Sequence, residues 1–193
     1  LLYPFEFVAR FTNNIYETLV YFTTKRLTSP NEIVRLSSSL GEKRTLRILG
    51  NGKSLSDKID AWSDRDENEY MVVNRHVLSD SYTLIKPRFY TLADSHFYLH
   101  EEGLSVLAQI NTLTQWEMFL FVPYEPAARK AMAEIVLNPL IHICFYNSGT
   151  YKGFSCVRKW LYDKNLSMPV SQNVLVASLY ISLYLGYSNI ELY

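Results

Sequence analysis

The sequence predicts a doubly wound α/β domain on a mostly parallel, Rossmann-like sheet, carrying an N-terminal helical extension. Two observations predict it. From Thr45 onward, short apolar runs alternate with longer segments of helical periodicity. Runs such as Glu69-Tyr70-Met71-Val72-Val73 are apolar almost throughout, as expected of strands covered by helices on both faces. A chain of 193 residues makes one domain, so the reading is an extension over 1–40 and a nucleotide-binding domain over 41–193.

Residues 5–26 place Val8, Phe11, Ile15, Leu19 and Phe22 three or four apart, one stripe of a helix, with Lys25 and Arg26 in its last turn. The stripe suits packing on the domain. A helix lying on a membrane surface is the alternative, weakened by Glu6, Glu17 and the scarcity of cations. Ser29-Pro30-Asn31 ends the segment, and Ile33-Val34-Arg35-Leu36 reads as a short strand. Strands are then expected at 45–49, 69–73, 88–93, 116–122, 140–145 and 189–193. Helices are expected at 54–62, 102–113, 125–136, 155–163 and 171–186.

Nineteen basic residues balance nineteen acidic ones, so no global field gathers nucleic acid or anionic lipid. Any anion must be held by local geometry. Cys144 and Cys156 belong to no closely spaced metal or redox motif and read as half-buried thiols in a reducing compartment. The longest apolar stretch, 174–187, is broken by Ser178, Ser182 and Gly186, too short and mixed to span a bilayer. The expected location is the cytoplasm, or the inner-membrane surface if the N-terminal helix lies on lipid. The first residue is Leu, and the last three sit inside an apolar run, so truncation is expected, at the C-terminus above all.

In parallel sheets ligands bind beyond the carboxyl ends of the strands. Three such ends carry polar groups: Gly50-Asn51-Gly52-Lys53-Ser54, Asn74-Arg75-His76 and Asp94-Ser95-His96. The first follows neither the Walker spacing nor the dinucleotide fingerprint. Its glycines permit positive φ and close approach of a ligand. Asn51 offers an amide, and Ser54 is placed to cap the next helix, whose N-terminus favours anions.

Several signals carry less. Asp64-Arg65-Asp66 spells a metal-binding D-x-D, but it lies in a polar run and not behind a buried strand. His96 and His100 would share a helical face with Asp94 nearby, yet Phe97-Tyr98-Leu99 between them reads equally well as extended. His142 reads as a hydrogen-bonded core histidine.

Gly50-Asn51-Gly52-Lys53-Ser54-Leu55 after a strand resembles the GNGPSL loop of bacterial sialyltransferases of the Campylobacter type. It also resembles the related MptE-like domain family, named for 6-hydroxymethylpterin diphosphokinase. Val72-Val73-Asn74-Arg75 is similar to that family's strand ending in Asn. Lys86-Pro87-Arg88-Phe89-Tyr90-Thr91-Leu92-Ala93-Asp94 resembles its "kPkyYvlaDp" segment, and the stretch from Leu183 to Tyr193 resembles "ALGYKEIYLSGID". The resemblance runs from about Thr45 to the end and is faint over 100–165; Lys53 stands where the sialyltransferases have Pro.

The resemblance implies a nucleotide site of Gly50, Asn51, Gly52, Lys53, Ser54, Asn74 and Asp94, with Ser171 facing the transferred group. It implies a glycosyltransferase of surface-polysaccharide synthesis, sialyl- or Kdo-transferase-like. The donor would be a nucleotide sugar, a CMP-sugar first, and the acceptor a glycan or lipid-linked glycan. No metal and no nucleic acid are expected. The family's general base, a His, would lie beyond Tyr193. Tyr146, Tyr151 and Tyr162 fall near the family's phosphate-binding tyrosines without a residue-by-residue match. The alternatives are an ATP-dependent diphosphokinase, needing magnesium on carboxylates such as Asp94, and a non-catalytic scaffold of polysaccharide assembly.

Overall fold

The computed structural model describes residues 3–24, 31–40, 45–52 and 68–193. The expected helix 54–62, Lys25, Arg26, Lys53, Ser54 and the Asp64-Arg65-Asp66 run lie outside the described residues.

Among the described residues six parallel strands form one sheet: β1 (Thr45–Leu49), β2 (Asn68–Val73), β3 (Phe89–Thr91), β4 (Met118–Pro123), β5 (Ile141–Tyr146) and β6 (Ile190–Leu192). The spatial order is 5-4-3-2-1-6. From β1 to β5 each strand is laid beside the last, and the chain then returns across the sheet to add β6 next to β1. The helices are α1 (Tyr3–Thr24), α2 (Asn31–Ser39), α3 (Ser81–Ile85), α4 (His96–Leu99), α5 (Glu101–Leu113), α6 (Pro126–Ile135), α7 (Ser155–Asp163) and α8 (Val174–Tyr184).

Strand alternation sends side chains to two faces, and both are covered. Leu49, Tyr70, Val72, Tyr90, Leu120 and Val122 pack under α3, α5 and α6. Leu46, Ile48, Met71, Val73, Phe89 and Phe121 pack under α2 and α8. This explains the nearly continuous apolar strands. It is a doubly wound, Rossmann-like α/β fold with a helix at its N-terminus. Right-handed crossovers from β1 to β5 place their helices on one face, so the return connection must carry α8 over the other.

The expected strand at Ile33-Val34-Arg35-Leu36 is instead part of α2. Its three-residue spacing buries Ile33 and Leu36 together against the sheet, which a strand in this position could not do. The late helix begins at Val174, three residues after its expected start, because Asn173 is extended and its Oδ1 accepts from Val176 N at 3.1 Å. It ends in a Schellman turn: Gly186 takes φ 86°, its N–H donates to Leu183 O and the Tyr187 N–H to Ser182 O.

The extension α1 is docked through a small cluster in which Tyr21 meets Tyr151 and Leu161. The Tyr21 hydroxyl donates to Leu166 O, the Thr18 and Tyr151 hydroxyls lie 2.6 Å apart, and Phe11 stacks edge-on against Phe154. The stripe expected to pack on the domain, Val8, Phe11, Ile15, Leu19 and Phe22, is instead exposed, as are Phe5, Phe7 and Tyr16. The helix docks through Thr18 and Tyr21, with an edge contact from Phe11. No helix among the described residues is long and apolar enough to cross a membrane.

Candidate functional site

The carboxyl ends of β1 to β5 open into a cleft with three connected parts. The smallest, about 270 Å³, lies at the ends of β1, β2 and β3 and is lined by Asn51, Asn74, Arg75, Asp94, His96 and Phe97. A central cavity of about 640 Å³ shares Asn74 and Asp94 with it, is bounded by Tyr98, Glu125 and Tyr146, and is completed by the segment leading into α8. A flanking cavity of about 610 Å³ shares Glu125 and Ser148 with the central one and reaches Tyr21 and Thr24 of α1. Volumes of this order suit a small-molecule ligand.

Asn74 joins the first two parts. The chain leaves β2 there in the left-handed conformation, φ 49°, which Asn tolerates better than most residues. Its backbone is fully engaged: the N–H donates to Thr91 O at 3.0 Å, and the carbonyl accepts from the Tyr90 hydroxyl. The same hydroxyl accepts from Val77 N–H at 3.2 Å, so one buried phenol fixes the whole turn. Burial raises the Tyr90 pKa, which keeps the phenol protonated as that donor. The side-chain Oδ1 of Asn74, by contrast, is buried and has no partner among the described residues. A buried amide acceptor without a donor costs about 1–3 kcal/mol, so this oxygen calls for a donor from outside the described residues, whether chain, water or ligand.

Other predicted residues divide between site and scaffold. Asn51 is exposed and lines the smallest cavity. Gly50 is buried, and its role differs from the expected positive φ: among the described glycines only Gly186 has one. Its N–H donates to Tyr193 O at 2.8 Å, and a Cβ there would come within 3.1 Å of that oxygen. Gly50 thus permits close packing of β1 on β6, while the next two residues, Asn51 and Gly52, are exposed. Asp94 Oδ1 accepts from His96 N at 2.9 Å at the start of α4, and the residue lines both the smallest and the central cavity. Ser171 lines the central cavity, where its hydroxyl donates to Asn173 O at 2.8 Å.

The histidines also differ from expectation. His96 to Leu99 is helical, and the His96 and His100 rings stack 5.0 Å apart. His96 Nε2 lies 3.3 Å from Arg75 Nη2, which also reaches Glu102. Among the described residues no three ligating side chains converge on a metal position. His142 is hydrogen-bonded as expected, to Glu117 at 3.1 Å, but it is exposed on the side of β5 rather than in the core. Cys144 is buried and Cys156 exposed, so the two thiols are not alike.

Tyr146 lines the central cavity, yet its hydroxyl is committed to Leu92 O at 3.0 Å. Tyr151 holds α1. The sequence reading missed Glu125 and Tyr98, which meet in the cleft with the phenol donating to Glu125 Oε2 at 2.9 Å. A signal existed: Tyr124-Glu125-Pro126 is the polar end of β4, as Asn147-Ser148 is of β5, and the strand-end rule applies to every strand. No family model, curated protein or solved structure matches the chain.

Proposed function

We propose that the chain is a nucleotide-sugar-dependent glycosyltransferase that holds a CMP-type donor along the carboxyl edge of its sheet. The observation that carries the reading is the Oδ1 of Asn74, unpartnered among the described residues, at the junction of the smallest and the central cavity. The nucleotide phosphate sits by Asn51 and Arg75, while Asn74 accepts from a ribose or sugar hydroxyl. The transferred sugar lies in the central cavity against Ser171. Hydroxyls, amides and the Asp94 carboxylate suit a polyhydroxylated ligand better than an apolar one. In the reaction an acceptor hydroxyl attacks the anomeric carbon, and the nucleotide leaves as a phosphate anion stabilised by directed N–H groups.

Calorimetry with CMP, UDP, GDP and ATP, each with and without magnesium, tests this. CMP is expected to bind without magnesium. Asn51→Ala should weaken that binding about tenfold or more, since a lost desolvated hydrogen-bond partner costs roughly 1–3 kcal/mol. Its melting temperature should stay within a degree or two, as exposed polar truncations change stability by about 0.5 kcal/mol. Binding of ATP alone, dependent on magnesium and lost in Asp94→Asn, would replace this reading with diphosphoryl transfer. Binding of no nucleotide would end it.

A further inference from the structure

We infer that the flanking cavity is the acceptor subsite, that it takes a glycan bearing an anionic group such as a sugar phosphate or uronate, and that Glu125 receives the acceptor's proton. The inference rests on the donor reading above and assigns to this chain's own residues the base that the resemblance places beyond Tyr193.

The two halves of the cleft differ in charge. The central cavity is lined by Asp94 and Glu125 and by no Lys or Arg among the described residues. The flanking cavity has Arg129 and Lys130 side by side on α6. The Arg129 guanidinium lies 5.6 Å above the Tyr124 ring and has no carboxylate partner among the described residues. Among the described residues the Lys130 ammonium has only Glu134 as an ion-pair partner, at 3.9 Å. Tyr21 and Tyr124 add aromatic walls, and Asn147, Ser148 and Gly149 supply polar groups at the end of β5. Cations beside aromatic faces and small polar groups suit a sugar with a negative substituent.

Glu125 is the one carboxylate that lines both cavities among the described residues. It occupies the N-cap position of α6, yet its side chain makes no capping bond. The carboxylate turns instead to Tyr98, whose hydroxyl donates to Oε2 at 2.9 Å. Tyr98 is 5% exposed; burial and the adjacent carboxylate raise its pKa, so the phenol stays a donor and holds Glu125 in place. Oε1 has no partner among the described residues. Because Glu125 lines both cavities, an acceptor held in the flanking one and a sugar held in the central one share it as a common wall. In the step, its proton passes to Oε1 while its oxygen bonds to the anomeric carbon. The bond from that carbon to the phosphate oxygen breaks, and its electron pair leaves with the nucleotide.

The test titrates the full chain by NMR with N-acetylglucosamine 1-phosphate and, separately, with glucuronate. One of the two is expected to bind, identifying a phosphate-bearing or a uronate acceptor. Arg129→Gln should weaken that binding about tenfold or more, the loss expected of a charge-assisted hydrogen bond, and leave CMP binding within about twofold. Asn51→Ala should do the reverse. With CMP-N-acetylneuraminate or CMP-Kdo as donor, Glu125→Gln should lower transfer about a hundredfold or more with both affinities kept. Glu125→Asp, which withdraws the carboxylate by one carbon, should also lose most transfer. The inference is overturned if neither probe binds, if binding ignores Arg129→Gln, or if transfer is absent or insensitive to Glu125→Gln. If no nucleotide binds while a probe still binds through Arg129, the donor reading and the Glu125 assignment fall, but the anion subsite stands.

Discussion

Replacing Tyr90 by Phe removes one oxygen and, on the geometry above, should damage both stability and the candidate site. Tyr90 is fully buried, and its hydroxyl is the hydrogen-bond partner of both Val77 N–H and the Asn74 carbonyl. Val77 is itself buried, so its N–H has no route to water. Leaving that donor unpaired costs about 1–3 kcal/mol. The Asn74 carbonyl lies at the cleft and can turn to solvent, so it adds little. Holding Asn74 in the left-handed region costs about 1–2 kcal/mol, and the phenol is what holds it there. Part of that strain is released when the turn relaxes, which leaves a net loss of about 1–2 kcal/mol. For a domain of this size, that lowers the melting temperature by about 2–8 °C. The relaxed Asn74 no longer presents Oδ1 at the junction, so CMP affinity should fall about tenfold, the value of one desolvated hydrogen bond. Thermal melts by circular dichroism and calorimetric titration read the two effects. A Tyr90→Phe variant that melts within a degree of the parent and binds equally would refute the idea that this phenol fixes the turn.

Two further outcomes concern the scaffold. His76 is 3% exposed, and burial pushes its pKa down to about 4. The unfolded chain, with an imidazole pKa near 6.5, therefore binds more protons between pH 6.5 and 4, so stability falls on acidification through that window, by up to about 3 kcal/mol. Urea melts at pH 7 and pH 4.5 should show this loss, and His76→Gln should remove it; an equal loss in the variant would refute the assignment. At Gly103 a Cβ would meet His96 O at 2.1 Å and Phe97 Cα at 2.5 Å, both backbone. Gly103→Ala should force α4 and α5 apart and cost about 1–3 kcal/mol, outweighing the gain of about 1 kcal/mol in helix propensity. A stabilised variant in thermal melts would show that the crossing is looser than described.

The sheet was legible because its central strands are buried on both faces, and apolar runs such as 69–73 and 116–122 have no other use in a chain this size. What periodicity could not resolve were segments shorter than two helical turns. Ile33-Val34-Arg35-Leu36 opens on two β-branched residues, and the packing of Ile33 and Leu36 on one side belongs to α2. His96 to Leu99 and Ser81 to Ile85 are too short to show a stripe. Of the candidate site, Asn51, Asn74 and Asp94 were legible from strand ends, and Ser171 only through the resemblance. Glu125 was not, because its neighbour Pro126 reads as a helix start and draws attention from the carboxylate before it. The backbone specials were misplaced for a related reason. Among the described residues positive φ falls on Asn74, Lys86, Asn165 and Gly186 rather than on the glycines of the first loop.

The position of β1 between β2 and β6 has a consequence for how the molecule comes together. Arg47 and Glu191, 144 positions apart, close an ion pair of 2.8 Å between the first strand and the last. During synthesis β1 to β5 can pair in the order they emerge, each with its neighbour. Throughout that time the outer side of β1 stays an open edge, with the backbone groups of Leu46, Ile48 and Gly50 awaiting Asn189, Tyr193 and the strand between them. An apolar parallel edge left unpaired until residues 189–193 arrive is a template for other chains. Leu46 and Ile48 are fully buried once the sheet is complete. Completion of β6 therefore decides late whether the nascent sheet closes on itself or on a neighbour.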